Sequence, residues 1–257
     1  KVTIIKKIEL KDIEAAIHNF DIVMVGTSQS SSLEKKVLAQ SIIKSVKCIA
    51  YLDYWYGFKD RFMFNGYQVL PDEIWTADKY AFEIARRELP LANVILKTNP
   101  YIDDMVKEKN RILSKKDEII ATESNNILYL CQPYNQSYLN ESGVRVKLTD
   151  IKGVEYFLEL LADLNLKDVA IKLRPHPLDD VNKYSMIIHT YSKTMNISLS
   201  WNKKLIDDFI WANTAVGMHC QALAVALAIG IKSYYCIPKG AQKCALPHKE
   251  IENFARI

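Results

Sequence analysis

Apolar bursts that stop at Gly, Pro or Ser alternate along this chain with stretches of helical periodicity. "FDIVMVGTS" (20–28) closes on Gly26 and Ser28 and runs into "SSSLEKKVLAQSIIKSV", where Leu33, Val37 and Ile43 recur near helical spacing. The pattern is strand, polar turn, helix. "KCIAYLDYW" (47–55) reads as the next buried strand, "PDEIWTAD" (71–78) as a strand leading into the helical "KYAFEIARREL", and "NVILKTNP" (93–100) as another before the helical "YIDDMVKEKNRIL". Polar "KKDEIIATESNN", between Lys115 and Asn126, interrupts the alternation, which then restarts with "NILYLCQP" (126–133). Further strands are expected at "DVAIKLRPHP", "NISLS", "TAVGM" and "KSYYCIP". Helices are expected at "IKGVEYFLELLADL", "VNKYSMIIHTYSK", "KKLIDDFIWA" and "CQALAVALAIG", with a closing helix after Pro247. Alternating strands and helices imply parallel pairing with helices over both sheet faces. The expected fold class is therefore α/β: two Rossmann-like domains facing a cleft, with residues 1–120 as the first and 121–257 as the second.

Composition adds boundaries rather than detail. Nearly half of the 257 residues are apolar and a quarter are charged, as in ordinary soluble globular domains. No apolar run approaches the ~20 residues of a membrane span, and Lys1–Lys7 does not lead into a signal-peptide core. A cytoplasmic location is expected. The net charge of +4 is modest and dispersed, so nucleic-acid binding is not demanded, although attraction to the inner face of an anionic membrane is compatible with it. The five cysteines form no CxxC pair, which argues against a disulfide scaffold and against a structural zinc site; free buried thiols are the default.

Doubly wound sheets bind ligands beyond the carboxyl ends of their strands, so chemistry is sought at the exits "QPYNQ", "RPHP", "GMHCQ" and "IPKGAQK". In "IKLRPHPLDD" (171–180) the two prolines stiffen the exit of a strand and hold His176 on it. In "NTAVGMHCQALAVALAIG" (213–230) a small apolar strand feeds Gly217, a short polar turn and an Ala/Leu helix, whose first-turn amides could receive a phosphate bordered by His219, Cys220 and Gln221. The alternative is that 217–221 only makes a tight turn and a cap. Arg174, His176 and the 217–221 turn leave different strands of one sheet and could converge on a diphosphate or phosphodiester.

"RPHP" after a strand, followed about forty residues later by "VGMHCQALAVALAIG", resembles the HP motif and the later Ser/Thr-type motif of bacterial sialyltransferases and polysialyltransferases. The match covers mainly residues 125–245. Related transferases of capsule and lipooligosaccharide assembly share the two-Rossmann GT-B fold. The resemblance implies that His176 contacts the phosphate of a CMP-activated sugar. The group's second phosphate contact is a hydroxyl residue, and the corresponding turn here reads His219-Cys220.

"GTSQSSSLEK", "YLDYWYGFKDRF" and "LPDEIWTAD" look like the N-terminal half of GT-B-like proteins from bacterial surface-sugar gene sets. The acidic pair followed by Gly that supplies the sialyltransferase base is absent. Asp53, at the exit of "CIAYL", is the substitute base for an acceptor hydroxyl; its alternative is a cap or a partner for Arg61. Ser30 and Ser31 are candidates for hydrogen bonds to an acceptor sugar, although an N-cap accounts for one of Ser30, Ser31 and Ser32. Trp55 and its aromatic neighbours are candidates for stacking on a sugar, or for the core. Asp72, Glu73 and Asp78 could be paired carboxylates, with Asp78 alternatively capping the helix that starts at Lys79.

The leading expectation is a glycosyltransferase that moves a sugar from a CMP-activated donor to a surface-glycan acceptor, with no metal and no cofactor beyond the nucleotide-sugar substrate. A UDP-sugar transferase or nucleotide-sugar epimerase of the same architecture, or a non-catalytic nucleotide-binding scaffold, are the alternatives.

Overall fold

A computed structural model describes residues 10–28, 32–114, 125–139, 142–164 and 168–257. The chain divides into two compact units, Lys1–Asn99 and Pro100–Ile257. The division lies ahead of the expected boundary at 120/121, and the polar stretch 115–124 is outside the described residues.

The first unit runs α1 (Leu10–Ala16), β1 (Ile22–Val25), α2 (Leu33–Ile43), β2 (Lys47–Leu52), α3 (Phe58–Arg61), β3 (Met63–Phe64), β4 (Tyr67–Gln68), β5 (Glu73–Thr76), α4 (Lys79–Glu88) and β6 (Val94–Leu96). Its four-stranded sheet has the order β1-β2-β5-β6 with every pair parallel, while β3 and β4 form a small antiparallel hairpin. Asp78 caps α4 by accepting from the Ala81 N–H at 2.8 Å, as an Asp with extended backbone at a helix start should.

The second unit runs α5 (Pro100–Leu113), β7 (Asn125–Leu130), β8 (Asn135–Leu139), β9 (Arg145–Thr149), α6 (Asp150–Asp163), β10 (Val169–Arg174), α7 (Ser185–Tyr191), β11 (Asn196–Leu199), α8 (Leu205–Trp211), β12 (Thr214–Gly217), α9 (Gln221–Ala228), β13 (Lys232–Tyr235) and β14 (Glu252–Asn253). The six strands β11-β10-β7-β12-β13-β14 form one parallel sheet. Numbered within the sheet this is 3-2-1-4-5-6, the Rossmann order.

The core of this unit follows from pattern. Val154, Phe157, Leu158 and Leu161 lie at i, i+3, i+4 and i+7 of α6 and are all buried. They pack with Tyr129, Ile171, Leu173 and Val216 of the sheet. Each such side chain contributes about 1.5–3 kcal/mol by leaving water. Gly153 permits the close approach: a Cβ there would stand 3.0 Å from Met218 Sδ and 3.3 Å from the Tyr129 hydroxyl.

Two expectations need correction. No closing helix follows Pro247; β14 pairs with β13 there and adds the sixth strand, followed by a short 3-10 turn, Phe254–Arg256. The strand at "NILYLCQP" does not lead directly into α6, because the antiparallel β8–β9 hairpin intervenes. Asn135, Gln136 and Ser137 of β8 are exposed, so that hairpin lacks a strong apolar alternation.

Candidate functional site

In the first sheet the strands follow chain order, whereas in the second the order reverses between β7 and β12. A crevice opens beyond the carboxyl ends of strands where the order reverses, because the connections on either side depart in opposite directions. The second unit therefore carries the stronger candidate.

Register places its residues. Arg174 and Gly217 both pair with Leu130, so Arg174, Leu130 and Gly217 form one lateral row across β10, β7 and β12. His176, Gln132 and His219 each lie two residues past that row, on one sheet edge. Adjacent strands are ~4.8 Å apart, so this edge spans about 10 Å from β10 to β12. Gly217 sits where a side chain would be crowded, since a Cβ would lie 3.1 Å from the Leu130 carbonyl oxygen and 3.4 Å from Cys220 Sγ.

His176 is held from three directions. Its N–H donates to Asp179 Oδ2 at 3.1 Å, its carbonyl accepts the Asp179 N–H at 2.9 Å, and its Nδ1 accepts the Leu178 N–H at 3.2 Å. With Nδ1 occupied as an acceptor, the neutral ring carries its proton on Nε2. Asp179 is almost fully buried and also accepts from Tyr184 Oη at 2.8 Å and Lys183 Nζ at 2.7 Å. Lys183 reaches on to Asp150 at the start of α6. Burial alone would push the Asp179 carboxyl up, but the hydrogen bonds from Lys183, Tyr184 and the His176 backbone and the Lys183 charge outweigh it and hold the pKa below the usual value.

Arg174 has a structural role that the sequence reading did not name. Its guanidinium pairs with the fully buried Asp208, which also accepts from Ser200 Oγ and, at 2.7 Å, from Asn202 Nδ2. Lys172 Nζ lies 3.9 Å from the same carboxylate. Arg174 Nη1 is thus engaged inside the fold, tying the exits of β10 and β11 together.

At the β12 exit the His219 N–H donates to the Gln132 side chain at 3.1 Å, and its ring meets Tyr134 edge-on at 5.2 Å. Burial lowers the His219 pKa, so near neutral pH the ring is uncharged and offers a phosphate a hydrogen bond but no cation. Cys220 stands at the N-cap of α9, where its side chain makes no capping hydrogen bond and its carbonyl accepts the Leu223 N–H at 3.1 Å. Burial pushes the Cys220 thiol up to about 11, so it stays a neutral S–H near neutral pH. Gln221, the first residue of α9, is exposed.

In the first unit Asp53 follows β2, two-thirds exposed, with an oxygen 3.5 Å from the buried Arg61. Trp55 is 7 % exposed and donates from Nε1 to Asp78 Oδ2 at 2.7 Å. Its ring ties the β2 exit to the cap of α4 and presents little face to a sugar. Ser30 and Ser31 lie outside the described residues, and Ser32 stands at the start of α2 without a side-chain capping bond. The carboxylates of 72–78 are not a pair: Asp72 accepts the Cys48 N–H at 2.7 Å, Glu73 pairs with Lys47 at 2.7 Å, and Asp78 caps α4.

Among the described residues no group of His, Cys, Asp and Glu is arranged to hold a metal ion, and no helix is long and apolar enough to cross a membrane. Sequence reasoning named the exit that carries Gln132 but missed Asp179 and Asp208. Both lie near charged neighbours in the sequence, yet only the fold shows what they bind.

No protein-family model matches the chain, and no curated protein matches it. Among solved structures it is similar to a Listeria monocytogenes protein assigned as a UDP-N-acetylglucosamine 2-epimerase, with a TM-score of 0.54 and 14% sequence identity. The likeness covers 88% of this chain and 60% of that one, so the chain spans about three fifths of its neighbour's length. At this identity the likeness speaks to the fold, an α/β architecture of two Rossmann-like domains of GT-B-like type.

Proposed function

We propose that the second unit binds a nucleotide sugar at the β7/β12 reversal, and that the chain is a glycosyltransferase using a CMP-activated donor. The observation that carries this reading is the alignment of His176, Gln132 and His219 along one strand-exit edge, with the His176 ring fixed as an Nε2–H donor. The RPHP resemblance supports the donor class. A leaving phosphate gains negative charge in the transition state, and a donor fixed in advance stabilises that charge without reorganising. Here His176 Nε2–H and the neutral His219 ring are the available donors, while Asp179 holds the turn that presents His176. Asp53 is the proposed acceptor of the proton from the sugar hydroxyl under attack. Activity against a bacterial surface glycan at the inner face of the membrane belongs to this proposal.

The structural neighbour favours a second reading, a nucleotide-sugar epimerase that takes a uridine nucleotide. Calorimetric titration with CMP, CDP, UMP and UDP separates the two. Cytidine-nucleotide binding that weakens in His176→Ala supports the transferase, UDP binding supports the epimerase, and no binding to any of the four defeats both.

A further inference from the structure

Lys183 reaches from the turn that carries His176 to the helix beyond β9. It lies in the 3-10 turn Val181–Tyr184, and its Nζ donates to Asp179 Oδ1 at 2.7 Å and to Asp150 Oδ2. The first bond is local. The second spans 33 residues of chain and ends on the first residue of α6. Asp150 is itself fixed there: its other oxygen accepts the Ile151 N–H at 2.9 Å, and a carboxylate in a helix's first turn is favoured by the helix dipole. The three side chains are mostly buried, Lys183 27 %, Asp150 14 % and Asp179 4 % exposed, so water competes little for these bonds. Burial alone would lower the Lys183 pKa, but the hydrogen bonds and charges of Asp150 and Asp179 outweigh it and keep the ammonium charged.

From each carboxylate the contacts continue to a histidine. Asp179 accepts the His176 N–H at 3.1 Å and returns its own N–H to the His176 carbonyl at 2.9 Å, while Leu178, inside that turn, donates to His176 Nδ1. The place of the Asp179 carboxylate therefore decides where the Leu178 N–H points. On the other side the Asp150 N–H donates to the Tyr134 carbonyl at 3.2 Å, and the Tyr134 ring meets the His219 ring edge-on at 5.2 Å. The far end of that ring is held as well, since Tyr134 Oη donates to Gln136 Oε1 at 2.9 Å. β10 and β12 are not neighbours in the sheet, because β7 lies between them. The Lys183 ammonium thus ties together two strand exits that no ladder joins directly, a task suited to a long side chain with three donors.

We propose that Lys183 is a positioning residue for both histidines of the exit edge: its bridge between Asp179 and Asp150 keeps the His176 ring in the Nε2–H tautomer and the Tyr134 ring against His219. The consequence for ligand binding rests on the reading of this edge as the nucleotide site, whereas the consequence for the two rings does not.

The test is nitrogen-resolved NMR of the imidazole rings in the isotope-labelled full chain, above the histidine titration range, with His176 and His219 assigned from the spectra of His176→Gln and His219→Gln. In the wild type His176 should show an unprotonated Nδ1 and a protonated Nε2. In Lys183→Met, which keeps the stem and removes the charge, both nitrogens should move towards the average of two exchanging tautomers, and the His219 resonances should move with them. Lys183→Arg should restore most of the wild-type pattern. Calorimetry should find CMP bound about threefold to tenfold more weakly by Lys183→Met, at most the loss of one hydrogen bond to a charged group. Asp150→Asn, which removes the far charge and keeps the size, should move the same resonances in the same direction, and it decides the matter if a thermal melt shows Lys183→Met unfolded. Folded variants in which either ring keeps its wild-type signals overturn the proposal, as does a CMP affinity that stays at the wild-type value while the rings move. If the rings respond as expected but the wild type binds no CMP, the bridge stands and the nucleotide reading falls.

Discussion

The Leu178 backbone N–H donates to His176 Nδ1 across 3.2 Å, so the ring is oriented by the chain that follows it. Pro175 and Pro177 stiffen the same turn, and neither proline has an N–H of its own to compete for the imidazole. The arrangement fixes both the tautomer and the direction of the remaining donor.

That geometry makes a side-chain-specific prediction. His176→Ala should weaken cytidine-nucleotide binding about tenfold or more, the value of one hydrogen bond to a charged phosphate. His176→Gln, whose amide nitrogen falls near the position of Nε2, should retain more of the affinity than His176→Asn. Equal affinities for all three variants and the wild type, measured by calorimetry, would remove His176 from the site.

Asp208 is fully buried and paired with Arg174, so Asp208→Ala leaves a partly buried guanidinium without its counter-charge. A loss of about 3 kcal/mol in unfolding free energy is expected. Urea denaturation measures it. A loss below about 1 kcal/mol would mean that Arg174 readily finds solvent and that the β10 and β11 exits are not locked by this pair.

Gly217→Ala places a methyl group 3.1 Å from the Leu130 carbonyl oxygen, which is backbone and cannot swing aside. The expected cost is about 1–3 kcal/mol through displacement of β12 from β7. Nucleotide affinity should fall with it, since the displaced strand end carries His219. Unchanged stability in a thermal melt would contradict the crowding.

Acid should unfold the second unit partly through Asp179. Its carboxyl pKa is held below the ordinary 3.8 of a free side chain, so the unfolded chain takes up this proton at a higher pH than the folded one. The stability it contributes is complete above the unfolded value and is lost as pH falls from there through the lower folded value. His219, lowered from 6.5 by burial, acts in the same direction in a higher window, below about pH 6.5. Stability measured against pH should decline in both windows, with the lower decline reduced in Asp179→Asn.

All five thiols are pushed up by burial, Cys48 and Cys220 to about 11 and Cys236 to about 12, with Cys131 and Cys244 also raised. Thiolates, not thiols, react with iodoacetamide, so the native protein at pH 7.5 should alkylate far more slowly than the denatured chain. Mass spectrometry of timed samples reads this directly. Rapid modification of Cys220 would show that the N-cap of α9 opens.

The sequence made the α/β alternation legible because each long strand is an apolar run stopped by Gly, Pro or a polar turn, as in "CIAYLD" and "IKLRPHP". It did not disclose β3, β4 or β14, which are two residues long, too short for any period to register. Site residues separated along the same line. Gly217 and His176 are marked by local chemistry that a turn demands. The partner of Arg174 is not, since Asp208 lies 34 residues further along the chain and only the placement of α8 in the fold delivers it. Trp55 shows the converse: an aromatic cluster in sequence says nothing of which ring is exposed, and the bond to Asp78 turns this one inward.

The strand orders also set a schedule. In the first unit neighbouring strands come from nearby chain, as in the Thr27–Tyr51 and Cys48–Asp72 contacts, each spanning 24 residues. β7, by contrast, gains its second neighbour only when β12 arrives, and the Asn126–Asn213 bond at that seam closes a loop of 87 residues. Contacts of such separation form slowly, because the entropy of closing the loop must be met before pairing returns anything. During synthesis the seam that carries His219 and Gln132 stays open, one edge of β7 unpaired, until Thr214–Gly217 has emerged, so the proposed nucleotide site is among the last parts of its sheet to exist.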